Sequence, residues 1–203
     1  YEDPGIEGAA YVAVDRREAV GLAVRHLLGR GRRRIGLAVM SDCRPTHVDR
    51  IRGYRAELAA HGLPVDERLI FNGQSHGMAF AKYNRSTHQW DFPAQVTDAA
   101  IDALVRDGGA DAIVAHDDYW AASLIRQMRA RGISVPRDVA VVGYLNHNMA
   151  DWTDPALTTI DLEHAKAARC MVRMLEKIIK KGSLPEDQRI VRIQPKLIVR
   201  QSA

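Results

Sequence analysis

Cysteine is scarce in this 203-residue chain: Cys43 and Cys170 are too few for a disulfide framework and lack metal-ligand spacing. Aromatic residues make up only 6%, with three Phe and three Trp. No apolar run approaches the roughly 18 residues a membrane helix requires, and the amino end shows no basic-then-apolar leader. None of the eight histidines stands in His-Glu-x-x-His or His-x-His spacing. Neither a Gly-x-Ser-x-Gly elbow nor a Gly-x-x-x-x-Gly-Lys phosphate loop occurs. These gaps exclude a membrane span, a disulfide-stapled scaffold and the recurring catalytic motifs. They point to a reduced, cytosolic compartment.

What is present is an ordinary globular composition, 46% apolar and 27% charged. A chain of this length buries about 70% of its unfolded surface, so it needs no staples. The net charge of +4 invites a nucleic-acid reading. The densest basic run, Arg30-Gly31-Arg32-Arg33-Arg34, sits between an apolar-periodic segment and the apolar stretch 35–40, and Lys and Arg otherwise recur evenly. A solvated loop leading into a strand fits it better than a DNA footprint, in which basic residues interleave with aromatic or polar contacts.

Apolar spacing alternates between two periods. Val20, Ala23, Val24, Leu27 and Leu28 fall on one helical face, stopped by Gly29 and Gly31. Further helices are expected around 48–59, from Val96 to Val105, around 124–128 and over 165–179, the last with Ala165, Ala168, Met171, Val172, Leu175, Ile178 and Ile179 on one face. Strand-like runs lie at 12–14, 35–40, 69–71, 112–115, 139–142 and 157–160, with two alternating runs at 190–192 and 197–199. This order implies an α/β fold with a doubly wound parallel sheet, which seats ligands beyond the carboxyl ends of its strands. The segments to search are therefore 41–50, 72–95, 116–119 and 143–156. Strands 12–14 and 157–160 are left over and are expected to form a small, unfinished second layer.

Several residues in these segments carry chemistry. His116-Asp117-Asp118 follows a strand directly, where catalytic carboxylates are often placed, yet adjacent residues on an extended strand cannot all converge. Asp118 can equally cap the following helix. Arg44, Thr46 and Arg50 can grip a carboxylate, a phosphate or vicinal hydroxyls, or else stand as surface residues on the first turn of a helix. Tyr83, Trp90 and Phe92 lie in the aperiodic stretch 74–93, where they offer stacking faces for sugars or purines or pack on their own domain.

The stretch GISVPRDVAVVGY, 132–144, closely resembles the Gly-(Leu/Ile)-x-Val-Pro-x-Asp-Val-x-Val-x-Gly-(Phe/Tyr) segment of the LacI/GalR family of bacterial transcription regulators. PALTTI at 155–160, GRRRI at 31–35 and RIRGYRAEL at 50–58 resemble three further motifs of that family in the same order. The resemblance implies a type I periplasmic-binding-protein-like fold with two doubly wound parallel-sheet lobes, the first incomplete. It divides the chain into 1–39 with 157–183, the remainder of the first lobe, and 40–156 with 184–203, the second. An amino-terminal helix-turn-helix headpiece is expected upstream of Tyr1.

The same resemblance implies a repressor working as a homodimer and binding operator DNA through that headpiece, with a sugar-like or purine-like effector in the interlobe cleft. No enzyme activity, cofactor, metal or membrane contact is implied. Carried over position by position, Arg50 matches the ligand-holding arginine. Arg44 and Thr46 match polar contacts, Asp117 stands where many members have Asn, Asp15 matches an acid near the cleft floor, and Tyr144 ends the Gly-Tyr motif. Three departures stand out: Leu145 replaces the usual Asp, Leu162 lies near a usual Gln, and Ser75 occupies the place of an aromatic platform. The segment 74–93 is expected to rebuild the pocket, with Trp90 or Tyr83 as its stacking face. A transporter's solute-binding protein, sharing the two-lobed fold, is the alternative, with an enzyme using His116 and Asp117 third.

Overall fold

A computed structural model describes residues 6, 8–41, 43–76, 82–84, 89–91 and 94–203, with backbone only at 76, 82–84 and 89–91. Strand β1 (Tyr11–Val14) leads into helix α1 (Arg16–Gly29), which starts where the Asp15 carboxylate accepts the Glu18 N–H at 2.9 Å. Strand β2 (Ile35–Val39) is buried throughout, and α2 (Pro45–Ala60) opens on proline, whose missing N–H costs nothing at a helix start. Strand β3 (Ile70–Asn72) follows, then a short antiparallel pair, β4 (Lys82–Asn84) with β5 (Gln89–Asp91). Next come α3 (Ala94–Ile101), β6 (Ala112–Val114), α4 (Asp118–Ala130) and β7 (Ala140–Tyr144). The chain ends with β8 (Thr158–Asp161), α5 (His164–Lys181), β9 (Ile190–Ile193) and β10 (Lys196–Ile198).

Six strands form one sheet in the order β10-β8-β7-β6-β2-β3, parallel except for β10 against β8. Their side chains alternate between two cores. Ile35, Leu37, Val39, Val114 and Val142 join α1 and α2 on one face, while Ala38, Ile113 and Val141 join α3 and α4 on the other. Strands covered on both faces must be apolar at every position, which is why they stand out in the sequence as continuous runs.

Strand partners differ from expectation at the edges. Strand 157–160 was expected beside 12–14; it lies between β7 and β10, while β1 pairs in parallel with β9. The two threonines of β8 are fully buried, and the Thr158 N–H donates to Ser202 Oγ, which itself donates to the Val141 carbonyl. That lattice holds β8 in the large sheet. Helix α1 and strand β2, placed by the expected division with the first lobe, also belong to the six-stranded unit. Strand β9, placed with the second, pairs away from it. Pairing over such sequence distances leaves no local signal.

Helix α5 packs on β1 and β9. Because that sheet is two strands wide, it covers Ala167 and Met174 and leaves Val172, Leu175 and Ile179 of the same amphipathic helix exposed. The basic run is tied to the protein itself. Arg32 donates to the Pro136 carbonyl, Arg33 to the Leu28 carbonyl at 3.0 Å, and Arg34 through Nε to the Gly108 carbonyl at 3.0 Å. The Asp111 carboxylate accepts the Arg33 and Arg34 N–H groups at 2.8 and 3.1 Å. These arginines fasten helix ends and loops at the amino edge of the sheet.

Helices α1 and α2 cross at Gly53, where a Cβ would sit 2.3 Å from the Arg17 carbonyl oxygen. Glycine is needed there for close approach, and the flanking Arg17–Asp49 pair at 3.1 Å bridges the same crossing. Gly53→Ala is expected to lower stability by about 1–3 kcal/mol, read as a lower urea midpoint, because neither backbone can yield without shifting a helix. An unchanged midpoint would show that the crossing is not close-packed.

Candidate functional site

The carboxyl ends of β2, β6, β7 and β8 open onto one edge of the sheet, where parallel α/β folds bind ligands. Arg50, on the sixth residue of α2, reaches this edge and is only 7% exposed. Its Nη1 donates to the His116 carbonyl at 2.7 Å and to His116 Nδ1 at 3.2 Å. Its guanidinium lies 3.8 Å from the centroid of the Tyr144 ring, a cation–π contact at the end of β7. The buried Arg50 Nε has no hydrogen-bond partner among the described residues, and the buried Tyr144 hydroxyl has only the Arg50 guanidinium beside it.

Two histidines complete the cluster. His47, one helical turn before Arg50, is buried and donates Nδ1–H to the Ser41 carbonyl at 3.0 Å. Its ring meets that of His116 edge-on, with centroids 4.8 Å apart. Burial pushes the His47 pKa down to about 4, with Arg50 and Arg44 acting in the same direction. His116 is likewise pushed well down, by burial first and by Arg50 next. A guanidinium only donates, so His116 Nδ1 must hold a lone pair, leaving the neutral ring with its proton on Nε2.

The expectation that Asp118 caps α4 is corrected. Asp117 is the cap, accepting the Trp120 N–H at 2.8 Å, and burial raises its carboxyl to about 6 despite that bond. Asp118 turns inward, fully buried, and accepts the His147 N–H at 2.6 Å and the Thr159 hydroxyl. His147 Nδ1 stands 3.3 Å from the same carboxylate, which raises the imidazole pKa. Leu145 (φ 98°) and Asn146 (φ 49°) both adopt left-handed backbone to turn the chain toward Asp118, a conformation costly for a leucine and typical of functional sites. Asn146 donates to Asp161 at 3.0 Å and accepts from Arg200 at 3.1 Å, which ties the end of β7 to that of β8.

Of the residues singled out from sequence, Arg50 and Tyr144 are in contact, and the Asp117 charge is felt at Arg50. Thr46 sits half-buried on the first turn of α2, and Arg44 is its exposed N-cap. Asp15 is committed to capping α1, although its charge reaches Tyr144. Leu162 is a core residue, and Ser75 is exposed. The Trp90 and Tyr83 side chains lie outside the described residues; their backbones face each other across the β4–β5 pair. His47 was missed, although its spacing of three from Arg50 on a helix signals a shared face. No metal-ligating cluster occurs among the described residues.

A six-stranded, mainly parallel sheet with a polar edge beyond its carboxyl ends is a doubly wound α/β architecture. Residues 24–203 match the periplasmic binding protein-like domain family, and the chain belongs to it. The resemblance to LacI/GalR regulators is matched by relatives. The HTH-type transcriptional regulator CelR of Thermobifida fusca is 31% identical over 197 residues, covering 97% of this chain and 52% of the relative. A solved CelR–cellobiose complex superposes with a TM-score of 0.78 at 29% identity, over 97% of this chain and 55% of that one. A LacI-family regulatory protein from Chloroflexus aggregans gives a TM-score of 0.82 at 25% identity, over 100% and 66%. The chain thus spans about half the length of the curated relatives it matches.

The raised Asp117 carboxyl makes a pH prediction. Its folded pKa near 6 exceeds the ordinary 3.8, so its charged form penalises the folded state fully above pH 6, progressively less toward pH 4, and not below. Asparagine caps helices as well as aspartate does. Asp117→Asn is therefore expected to be about 1–3 kcal/mol more stable than the parent at pH 7.5 and to converge with it near pH 4, in urea unfolding at each pH. Equal stabilities at both pH values would count against a buried, reluctant carboxylate.

Proposed function

We propose that this chain is the effector-sensing part of a LacI/GalR-type DNA-binding transcription regulator, a repressor. A small sugar-like or purine-like ligand binds beyond the carboxyl ends of β2, β6 and β7. The observation that supports this most directly is Arg50: its guanidinium is positioned by Tyr144 and His116, yet its Nε is left open in a buried site. An arginine at this place in the RIRGYRAEL motif is what the family resemblance assigns to ligand holding. The relatives reported above are regulators, which favours sensing over solute transport.

In this reading the six-stranded unit is one lobe, and β1, β9 and α5 belong to the other. Ligand between them favours one lobe arrangement, and that arrangement sets how well paired headpieces of a homodimer hold operator DNA. The protein acts in the cytoplasm, with no catalytic step. Among the described residues no helix is long and apolar enough to cross a membrane. Asp117, Thr46 and Arg44 orient the ligand, Tyr144 holds Arg50, and Asp15 lies at the cleft floor. Trp90, carried over from the sequence, is the proposed stacking face for the ligand.

The test is operator binding by the complete protein, using the DNA upstream of its own gene, with cellobiose, glucuronate, glucose 6-phosphate and adenine as probes. A probe that binds is expected to change operator affinity about 5–150-fold. Arg50→Ala should abolish that response while circular dichroism and ligand-free DNA binding persist. A retained response in this variant would overturn the assignment.

A further inference from the structure

Arg50 is, among the described residues, a buried cation without a counter-ion. Among the described residues no carboxylate lies within ion-pair distance of it, and its hydrogen bonds go to a carbonyl and a neutral imidazole. Such a charge is costly unless something completes it. Three acids described at this edge are committed to the protein's own donors: Asp15 to the Glu18 N–H, Asp117 to the Trp120 N–H, and Asp118 to the His147 N–H and Thr159. The charges of Arg16 and Arg44 converge with that of Arg50 on His47. Both histidines are held neutral and add no compensating charge of either sign.

The helix start beside Arg50 is open in a way the others at this edge are not. Helices α1 and α4 carry aspartate caps and an acid in the first turn. Helix α2 has arginine at the cap, no side-chain capping bond and no acid in its first turn. Pro45 has no N–H, and the His47 and Val48 N–H groups donate to the Arg44 carbonyl at 2.9 and 3.0 Å, so the open donor of this first turn is the Thr46 N–H, to which the helix dipole adds positive potential. The turn after β7 brings leucine, Leu145, rather than an acid.

We propose that the ligand of this site is an anion, a small molecule bearing a carboxylate or a phosphate monoester. Its acid group is bound by the open Nε of Arg50 and the uncapped amino end of α2, with the Tyr144 hydroxyl as a further contact. The inference rests on the reading of this edge as the effector site and names the chemical class of the effector. Charge-assisted bonds to the guanidinium and to the Thr46 N–H complete the groups that the folded chain leaves unanswered.

Calorimetric titration of the complete protein with glucose, cellobiose, glucuronate and glucose 6-phosphate tests this. At least one acid is expected to bind about tenfold or more tightly than glucose, with affinity that falls as salt is raised. A preference for glucuronate identifies a carboxylate and one for glucose 6-phosphate a phosphate; either supports the proposal. Arg50→Gln should erase the preference. Arg44→Gln, at the exposed cap and outside the core, should reduce it about threefold with an unchanged melting temperature. Glucose or cellobiose binding as tightly as both acids would overturn the proposal and leave the sensing reading standing. Binding by none of the four would overturn it too, and the operator assay then decides separately whether sensing itself fails.

Discussion

The guanidinium of Arg50 is the constraint around which the site is arranged. Burying such a cation costs several kcal/mol in lost hydration, so the surroundings must supply directed contacts. The His116 carbonyl and the Tyr144 ring do so from the ends of β6 and β7, which fixes α2 against both strands. On its other side α2 is pinned to α1 through Gly53. A helix held at two faces cannot slide, so the Arg50 head and the amino end of α2 are pre-positioned. Pre-positioning of this kind lowers the ordering cost of binding.

Asp118 plays the corresponding part at the ends of β7 and β8. Its buried carboxylate gathers the His147 N–H and the Thr159 hydroxyl, and Gly143 leaves the room it needs, since a Cβ there would meet Asp118 Oδ1 at 2.2 Å. The left-handed turn at Leu145 and Asn146 persists because these bonds over-determine it. The candidate site is thus built on strand ends and helix starts rather than on free loops. Its electrostatics follow from that burial: imidazoles are driven neutral, a carboxyl is raised, and one guanidinium stays charged because arginine does not release its proton.

The sensing proposal places the ligand between this edge and a second, smaller unit. Strands β1 and β9 with α5 pair apart from the six-stranded sheet but share a hydrophobic core with it, through Val12, Val14, Ile193, Ala167 and Met174. A ligand that contacts both can shift their relation only by as much as it favours one arrangement over another. The groups that would exert such a preference are those the six-stranded unit leaves open at its edge.

Much of this was legible in the sequence. Continuous apolar runs marked the buried strands because a parallel sheet covered on both faces tolerates nothing else, and helical spacing with glycine stops marked the helices. The order of these elements placed the candidate edge, and Arg50 stood out by residue type and motif. The basic run at 30–34 was legible as something other than a DNA footprint, but its carbonyl contacts were not. Only the tertiary structure decided that β1 joins β9 and β8 joins the large sheet, because those pairings span long sequence distances and rest on hydrogen bonds such as that of Ser202. Only it decided that Asp117 caps while Asp118 is buried, since neighbouring aspartates look alike until one meets Thr159 and His147. The sequence determined which residues line the edge. Their charge states were decided by burial and by neighbours brought together from β6, β7 and α2, and neither quantity exists before the chain is folded.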